Sequence, residues 1–457
     1  MAALCLLGTA AAVAQGDKRQ IRFADIPASL QPWVEAQGIS ARGFSDHIAG
    51  IGRQTAARER DGEFDHLIFF LLQSRSFTTQ PKIEPALSAH EFVRGLGEAD
   101  REKYLSGGLF RLPAGDRIPK LVRVRIGEFI KAIAKNRDDA RLAYFKQLLN
   151  AEKTRPADLL IAEYARAMRF LYRKEFASRE IKPEQLTAYI SSLYQTRGHS
   201  TDTQIEANYA VYTAMAALKA QSPSTQIRRV LIIGPGLDFA PRTDLIDAFG
   251  PQSYQPFAVA DALLGLKFAQ RESLRIHCAD INDRVVDYFQ GLRRYRAIKL
   301  SVLSGVRDTA SHPLTGDFKD YFCNLGESIG VESAIEVPAP FSSHLKKSLL
   351  IRDEITGLIS VDRLNIITER YVPSPQYDLV VVTNVFPYFN QTELLFALTN
   401  IAAMLKPGGY LIHNELQTMP TQFVNSLGLP LQQARTLLIA SSETAPLFDG
   451  VAIHRKN

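Results

Sequence analysis

Cysteine is scarce in this chain, with three among 457 residues, beside one tryptophan and five methionines. Cys5 falls in an apolar leader, which leaves Cys278 and Cys323 for the rest. Neither stands at metal-ligand spacing from other candidate ligands, so no metal site is expected. Cys278 sits in an apolar strand-like run, where buried thiols are common, and its pairing with Cys323 stays open. Long apolar runs are missing too. Beyond the first fifteen residues no stretch is apolar enough to span a bilayer, and no transmembrane helix is expected. Charge of one sign is likewise absent: 54 Lys and Arg stand against 48 Asp and Glu, a formal net charge of +6. That balance permits an acidic partner without requiring one. With no arginine-rich tract or aromatic-basic motif, nucleic acid is not an expected partner.

The stretch MAALCLLGTAAAVAQGDK joins an apolar core to Ala12-Val13-Ala14, a small-x-small cleavage pattern just before Gln15. It reads as a signal peptide over residues 1–14 and implies export to a periplasmic or extracellular setting. No Lys or Arg precedes the apolar run, and the competing reading is the apolar N-terminus of a cytoplasmic protein.

From about Phe23 to Ala220 apolar residues recur at three- and four-residue spacing, as in EFDHLIFFLLQS and DLLIAEYARAMRFLYRKEF. Residues 15–223 are therefore expected to form an all-helical domain. From Asp116 to Glu184 this half carries an excess of Lys and Arg, read as a solvated helix surface or as a docking face for an acidic partner. A polar break, Gln221-Ser222-Pro223-Ser224, precedes a change of period. Over residues 224–457 strand-like runs alternate with helical stretches, which predicts an α/β domain whose parallel sheet is covered on both faces. The expected parallel strands are RVLIIG, LRIHCAD, LNIITER, YDLVVVTN and GGYLIHNE. TLLIASSE and FDGVAIHRK follow too closely on each other for a parallel crossover, so an antiparallel hairpin should close the chain. An insertion at about 304–362 separates the second and third expected strands. It contains FKDYFCNLGESIG, read as a helix, and the basic pair Lys346-Lys347.

Within RRVLIIGPGLDFAPR an apolar run, Val230 to Ile233, feeds Gly234-Pro235-Gly236. Glycines at a strand end let backbone approach a ligand closely, because no Cβ intervenes. The next strand ends in Ala279-Asp280-Ile281-Asn282, which puts a carboxylate at the carboxyl edge of the neighbouring strand. There it can accept hydrogen bonds from both hydroxyls of a ribose. Asp280 can also be read as a helix N-cap before DRVVDYFQGL. The distance from Gly234 to Asp280 exceeds the roughly twenty residues of a dinucleotide fingerprint. The excess falls in FAPRTDLIDAFGPQSYQ, a loop whose tip is placed to cover a ligand. No third glycine and no Gly-Lys-Ser/Thr follows, which argues against a nicotinamide-dependent oxidoreductase and a phosphate-loop NTPase.

IIGPGLD, CADIN, YDLVVVTNVFPYF, MLKPGGYLIHNE and the closing hairpin together resemble class I S-adenosylmethionine-dependent methyltransferases, over residues 225–457. TNVFPYFN and LKPGGYLIHNE are most similar to the chemotaxis-receptor glutamate (CheR-like) methyltransferases, whose helical N-terminal domain is much shorter than the helical half here. The resemblance implies a Rossmann-like seven-stranded methyltransferase sheet with a C-terminal antiparallel hairpin, and S-adenosyl-L-methionine as cofactor. It implies that Gly234, Gly236 and Asp238 line the methionine and ribose part of the donor, and that Asp280 holds the ribose hydroxyls. Glu369 and Arg370 would lie near adenine, with Asn384 and Val385 near the sulfonium. Phe386 and Tyr388 would form the acceptor wall. His413 is a substrate-side candidate by analogy with a histidine at the same strand end, a core histidine being the other reading. Arg197, in the polar segment Tyr194 to Thr203, would meet the donor carboxylate; a plain interdomain turn is the alternative. Ile232 stands where an acidic residue commonly precedes the first glycine by two, which removes one donor contact.

A sulfonium methyl is already activated, so catalysis asks for in-line positioning and desolvation more than for acid-base help. No general base is nominated. The leading expectation is an S-adenosylmethionine-dependent methyltransferase whose acceptor lies between the helical half and the sheet. A protein carboxylate, a polar metabolite and a nucleobase-like group all remain open as acceptors. The rival is an exported protein that keeps the fold for binding and lacks the activity.

Overall fold

The computed structural model describes residues 17–107, 118–135, 139–241, 244–292, 298–334, 342–372, 376–415, 419–442 and 446–457. The candidate signal peptide and Cys5 lie outside the described residues.

A short strand β1 (Asp17–Gln20) leads into the helices α1 (Gln31–Ala36), α2 (Phe44–Gln73), α3 (Pro85–Arg94), α4 (Glu98–Ser106) and α5 (Lys120–Lys135). Then come α6 (Ala140–Asn150), α7 (Pro156–Glu175), α8 (Pro183–Thr196) and α9 (Ile205–Gln221). Local chemistry starts these helices. Pro85, Pro156 and Pro183 open α3, α7 and α8, where the missing N–H of proline costs nothing. Asp139 caps α6 by accepting the N–H groups of Arg141 and Leu142. The 30 residues of α2 span about 45 Å at ~1.5 Å per residue. Its first half buries Phe44, Ile48 and Ile51, whereas every residue from Gly62 to Gln73 is buried. It therefore runs along the outside of one apolar cluster and then through the middle of another.

The second half brings β2 (Arg229–Ile233), α10 (Gln255–Gly265), β3 (Arg275–Asp280), α11 (Asp283–Leu292), β4 (Ile298–Arg307), α12 (Gly316–Asn324), β5 (Gly330–Ser333) and β6 (His344–Ile351). These are followed by α13 (Asp353–Thr356), β7 (Ile359–Arg363), β8 (Glu369–Val372), β9 (Tyr377–Val382) and α14 (Gln391–Met404). The chain ends with β10 (Leu405–His413), α15 (Thr421–Ser426), β11 (Leu431–Ala440) and β12 (Leu447–Arg455). Seven of the strands form one sheet in the order β11-β12-β10-β9-β2-β3-β7. The strands from β10 to β7 are parallel, while β12 runs antiparallel to both β10 and β11. The closing hairpin expected from the sequence is thus present. This is the Rossmann-like methyltransferase sheet: five parallel strands whose order reverses around β2, with an inverted strand inserted near one edge.

Period-two alternation assigns the strand residues to the two faces. Val230, Ile232, Leu379 and Val381 join the cluster that contains α5, α6 and α7, while Leu231, Ile233, Val380 and Val382 join the cluster of α1 and α14. The LKPGG turn is explained by crowding: a Cβ at Gly409 would lie 2.9 Å from Lys406 O and 3.0 Å from Tyr377 O. Asp378 fixes the neighbouring register by accepting the backbone N–H groups of Arg228 and Arg229 at 2.7 and 2.8 Å.

Two expectations need correction. LNIITER is not the third parallel strand. That place belongs to β7, which pairs with β3, while Glu369 and Arg370 sit in β8 and pair with Gln20 and Arg19 of β1. The insertion begins earlier than expected, at β4, and forms a separate antiparallel sheet, β4-β6-β5, with α12 beside it. Of the basic pair, Lys347 is buried on the carbonyls of Cys323 and Leu325 while Lys346 is exposed. Cys278 is buried, Cys323 exposed, and both are free thiols. Among the described residues no helix is long and apolar enough to cross a membrane.

Candidate functional site

The carboxyl ends of β2, β3, β7 and β9 converge on a crevice where strand order reverses, the usual place for a ligand in an open α/β sheet. Leaving β2, the chain turns through Gly234 and Gly236, both left-handed at φ 66° and 72°. A Cβ at Gly234 would lie 2.6 Å from Val385 Cγ2, and one at Gly236 2.7 Å from Thr201 O. Glycine is required at both by conformation and by space. Asp280 ends β3, 7 % exposed, with one carboxylate oxygen accepting the Asn282 N–H at 2.9 Å. Burial pushes its carboxyl up to about 6. Asn384, after β9, is also left-handed at φ 57° and is held by reciprocal bonds with Asn414, each 2.9 Å. Non-glycine residues in that conformation cluster at ligand sites.

The polar segment after α8 closes this crevice. His199 N–H donates to Arg58 O at 2.8 Å, and a Cβ on Gly62 of α2 would lie 1.8 Å from His199 O. Leu237 N–H donates to Thr201 O at 2.7 Å, Thr203 N–H to Asp238 at 2.9 Å, and Ser200 N–H to the Tyr388 hydroxyl at 3.3 Å. Arg58 joins the pieces, donating to the carbonyls of Tyr388, Tyr194 and Arg197 at 2.9 to 3.0 Å. Beneath them Glu63 pairs with Arg284 at 2.6 Å and accepts from Asn282 at 2.6 Å. Burial alone would raise the Glu63 carboxyl, but Arg284 overrides it and holds it down at about 2.

Two adjoining hollows result. The smaller, a slot of about 100 Å³, is lined by Gly234, Gly236, Asp280, Asn384 and Val385 from the expected set, and by Ile281 and Leu364 to Ile367. Thr55 and Glu59 of α2 complete it, and burial pushes the Glu59 carboxyl up to about 7. The larger, a cleft of about 1000 Å³, lies between α7, α8, the loop after β2 and the closing hairpin. Ser200, Asp202, Thr203, Asn384 and Tyr388 line both hollows and form the junction.

The remaining expected residues fall elsewhere. Asp238 and Arg197 line the cleft and not the slot. Asp238 tethers Thr203 and the Tyr254 hydroxyl, while Arg197 is paired with Asp65 at 3.4 Å. Glu369 accepts the Asn365 N–H and Arg370 pairs with Asp25 at 2.9 Å, both outside the hollows, because their strand left the main sheet. The slot residues at the end of the true third strand are Leu364 to Ile367. Phe386 is buried and lines neither hollow. His413 is a core histidine: 1 % exposed, stacked on His454 with the two Nε2 atoms 3.0 Å apart, and pushed down to about 3 by burial. The loop expected to cover the ligand instead walls the cleft, pinned where Arg141 donates to Phe239 O, Ile246 O and Phe249 O.

Residues 333–427 match the family model described as CheR methyltransferase, SAM binding domain. The match covers about a fifth of the chain, from β5 to α15. No curated protein sequence matches. Among solved structures the chain is similar to the N-methyltransferase NodS from Bradyrhizobium japonicum WM9 in complex with S-adenosyl-L-homocysteine, at 14 % identity, covering 54 % of this chain and 85 % of that one, TM-score 0.28. It is also similar to magnesium protoporphyrin IX methyltransferase from Synechocystis PCC 6803 with bound SAM, at 7 % identity over 63 % of this chain and 94 % of that one, TM-score 0.27. A third is precorrin-6y C5,15-methyltransferase from Geobacter metallireducens GS-15, at 10 % identity over 54 % and 87 %, TM-score 0.26. The fold assignment itself rests on the strand order. The chain carries a methyltransferase-type sheet and, within it, a segment similar to a SAM-binding domain.

Proposed function

We propose that the protein transfers the methyl group of S-adenosylmethionine to an acceptor held in the larger cleft. The observation that carries this reading is the junction: a slot at the sheet's switch point adjoins a separate cleft, and Asp202, Asn384 and Tyr388 line both. Residues of the slot fit the donor. Asp280 offers a carboxylate to ribose hydroxyls, Ile281 and Leu364 to Ile367 offer apolar faces to a base, and Gln255 Oε1 and both His199 ring nitrogens are buried without partners there. A slot of about 100 Å³ takes the nucleoside end, so the amino-acid end is assigned to the junction. Bound there, the donor supplies an electrophilic sulfonium methyl. The chain's own work is to orient, through Asn384 and Val385, and to exclude water, through the segment His199 to Thr203.

Calorimetric titration of S-adenosylmethionine and S-adenosylhomocysteine into the full chain tests this. Micromolar binding is expected, weakened by about tenfold or more in Asp280→Ala, which loses charged hydrogen bonds to the ribose. Folded protein with no detectable binding overturns the proposal.

A further inference from the structure

The larger cleft is acidic beyond what its architecture needs. Seven carboxyl groups line it: Glu84, Glu175, Asp202, Glu206, Asp238, Glu415 and Asp449. The last five are contiguous. Asp202, Glu206 and Asp238 all act electrostatically on Tyr254, and both Glu206 and Glu415 lie within the field of Asp449. Burial pushes Glu206 and Glu415 up to about 7 and Asp238 and Asp449 up to about 6, and with the neighbouring Asp238 holds Asp202 well above the usual carboxylate range. The cations on the same walls already have hydrogen-bond or ion-pair partners, although the charges of Arg197 and Arg141 still reach Asp202 and Asp238. Arg141 is spent on three carbonyls, Arg197 on Asp65, and Lys174 on Glu175.

Glu206, in the first turn of α9, supplies an independent observation. It is 4 % exposed, and its Oε1 accepts the Gly305 N–H at 2.8 Å. The N–H groups of Glu206 and Val306 also hydrogen-bond to the carboxyl group, and these backbone contacts leave the Oε2 atom without a partner of its own. A buried carboxylate oxygen left unpaired on the wall of a cleft is costly unless a ligand pairs with it. Burial disfavours the ionised form of these carboxyls, and a cation entering here would restore it, whereas an anion would disfavour it further.

We propose that the cleft binds a small aliphatic polyamine and that one of its nitrogens is the methyl acceptor. The inference rests on the donor reading above and names its acceptor class. Ammonium groups sit along the carboxylate track with Glu206 Oε2 as one partner, and the methylene stem lies against Ile205, Leu303 and Phe448. At the junction the reacting amine gives its proton to Asp202, which lines both hollows. The nitrogen lone pair then forms the new N–C bond as the C–S bond breaks and its electron pair stays on sulfur, leaving S-adenosylhomocysteine.

The test uses the full chain saturated with S-adenosylhomocysteine, titrated with spermidine and separately with glutarate, plus mass spectrometry of spermidine after incubation with enzyme and S-adenosylmethionine. Spermidine is expected to bind and to gain a methyl group, and glutarate is expected not to bind. Glu206→Gln keeps the shape and should weaken spermidine by about tenfold, the scale of one charged hydrogen bond, with S-adenosylhomocysteine affinity unchanged. Asp449→Asn, less buried, should weaken spermidine by about threefold and guards against misfolding of the first variant. Normal S-adenosylhomocysteine binding without spermidine binding, glutarate binding in its place, or spermidine binding without methylation each overturns the amine acceptor and leaves the donor reading intact. Failure of the wild-type chain to bind S-adenosylhomocysteine overturns the donor reading beneath it.

Discussion

The slot and the cleft differ in how they are built. The slot is largely made by strand ends, each placed by hydrogen bonds of one sheet, so residues from a few short stretches meet there by register alone. The cleft is made by surfaces of separate elements, from Glu84 at the start of α3 to Gly450 in β12, with no shared ladder to fix them. A site on a rigid edge is tuned by single backbone positions; a site between elements is tuned by the contacts that hold its walls. The first should fail through a steric error of one atom, the second through loss of a tether.

Gly236→Ala is the sharpest way to break the slot alone. At φ 72° an L side chain costs about 1–2 kcal/mol. Its Cβ would press on Thr201 O, a backbone atom that cannot rotate away, adding about 1–3 kcal/mol. The combined expectation is about 3 kcal/mol of lost stability in urea denaturation, with S-adenosylhomocysteine affinity reduced more than about tenfold because the lining segment shifts. Wild-type stability and affinity in this variant would show that the turn is not the tight point of the slot.

The same difference explains what could be read in the sequence. Gly234, Gly236, Asp280, Asn384 and Val385 were legible because strand, turn and carboxylate follow one another within a few residues, and all five line the slot. The third strand was misplaced because ISVDR and LNIITER are both short apolar runs, and only pairing with β3 distinguishes them. Glu369 and Arg370 went wrong with it. Arg197 was assigned to the donor from the polar density around it, but its partner Asp65 lies 132 residues earlier, a distance no local pattern spans. For the same reason Thr55 and Glu59 went unnoticed as slot residues, and the five contiguous carboxylates of the cleft, scattered from Asp202 to Asp449, formed no motif. The fold was far more legible than the cleft because strands announce themselves by periodicity, whereas walls between elements do not.

Arg141→Gln tests the cleft through its tether. The side chain donates to three carbonyls of the loop between β2 and α10, and glutamine, shorter and with two N–H donors, can replace two of these bonds at most. Losing charged hydrogen bonds to the loop should lower its opening free energy by about 2 kcal/mol, roughly a 30-fold faster amide exchange across residues 246–252. Two consequences for a cationic acceptor oppose each other, since the cleft loses a positive charge while its wall loosens, so exchange is the cleaner readout. S-adenosylhomocysteine affinity should not move. Unchanged exchange would mean that the bonds of Ser74 and Arg75 to Asp247 hold the loop without Arg141.

The smallest effect is expected where the two regions meet. Tyr388 lines both hollows, its hydroxyl accepts the Ser200 N–H at 3.3 Å, and its ring is flanked by Arg58, Arg197 and His199. Tyr388→Phe keeps the ring contacts and removes one long hydrogen bond, about 0.5–1 kcal/mol. Because Ser200 belongs to the segment that covers the slot and also borders the cleft, both affinities should fall together by about two- to fourfold. The parallel change is the informative part. A loss confined to the donor would place Tyr388 with the slot, a loss confined to the acceptor would place it with the cleft, and only a joint loss fits a junction through which the methyl group passes.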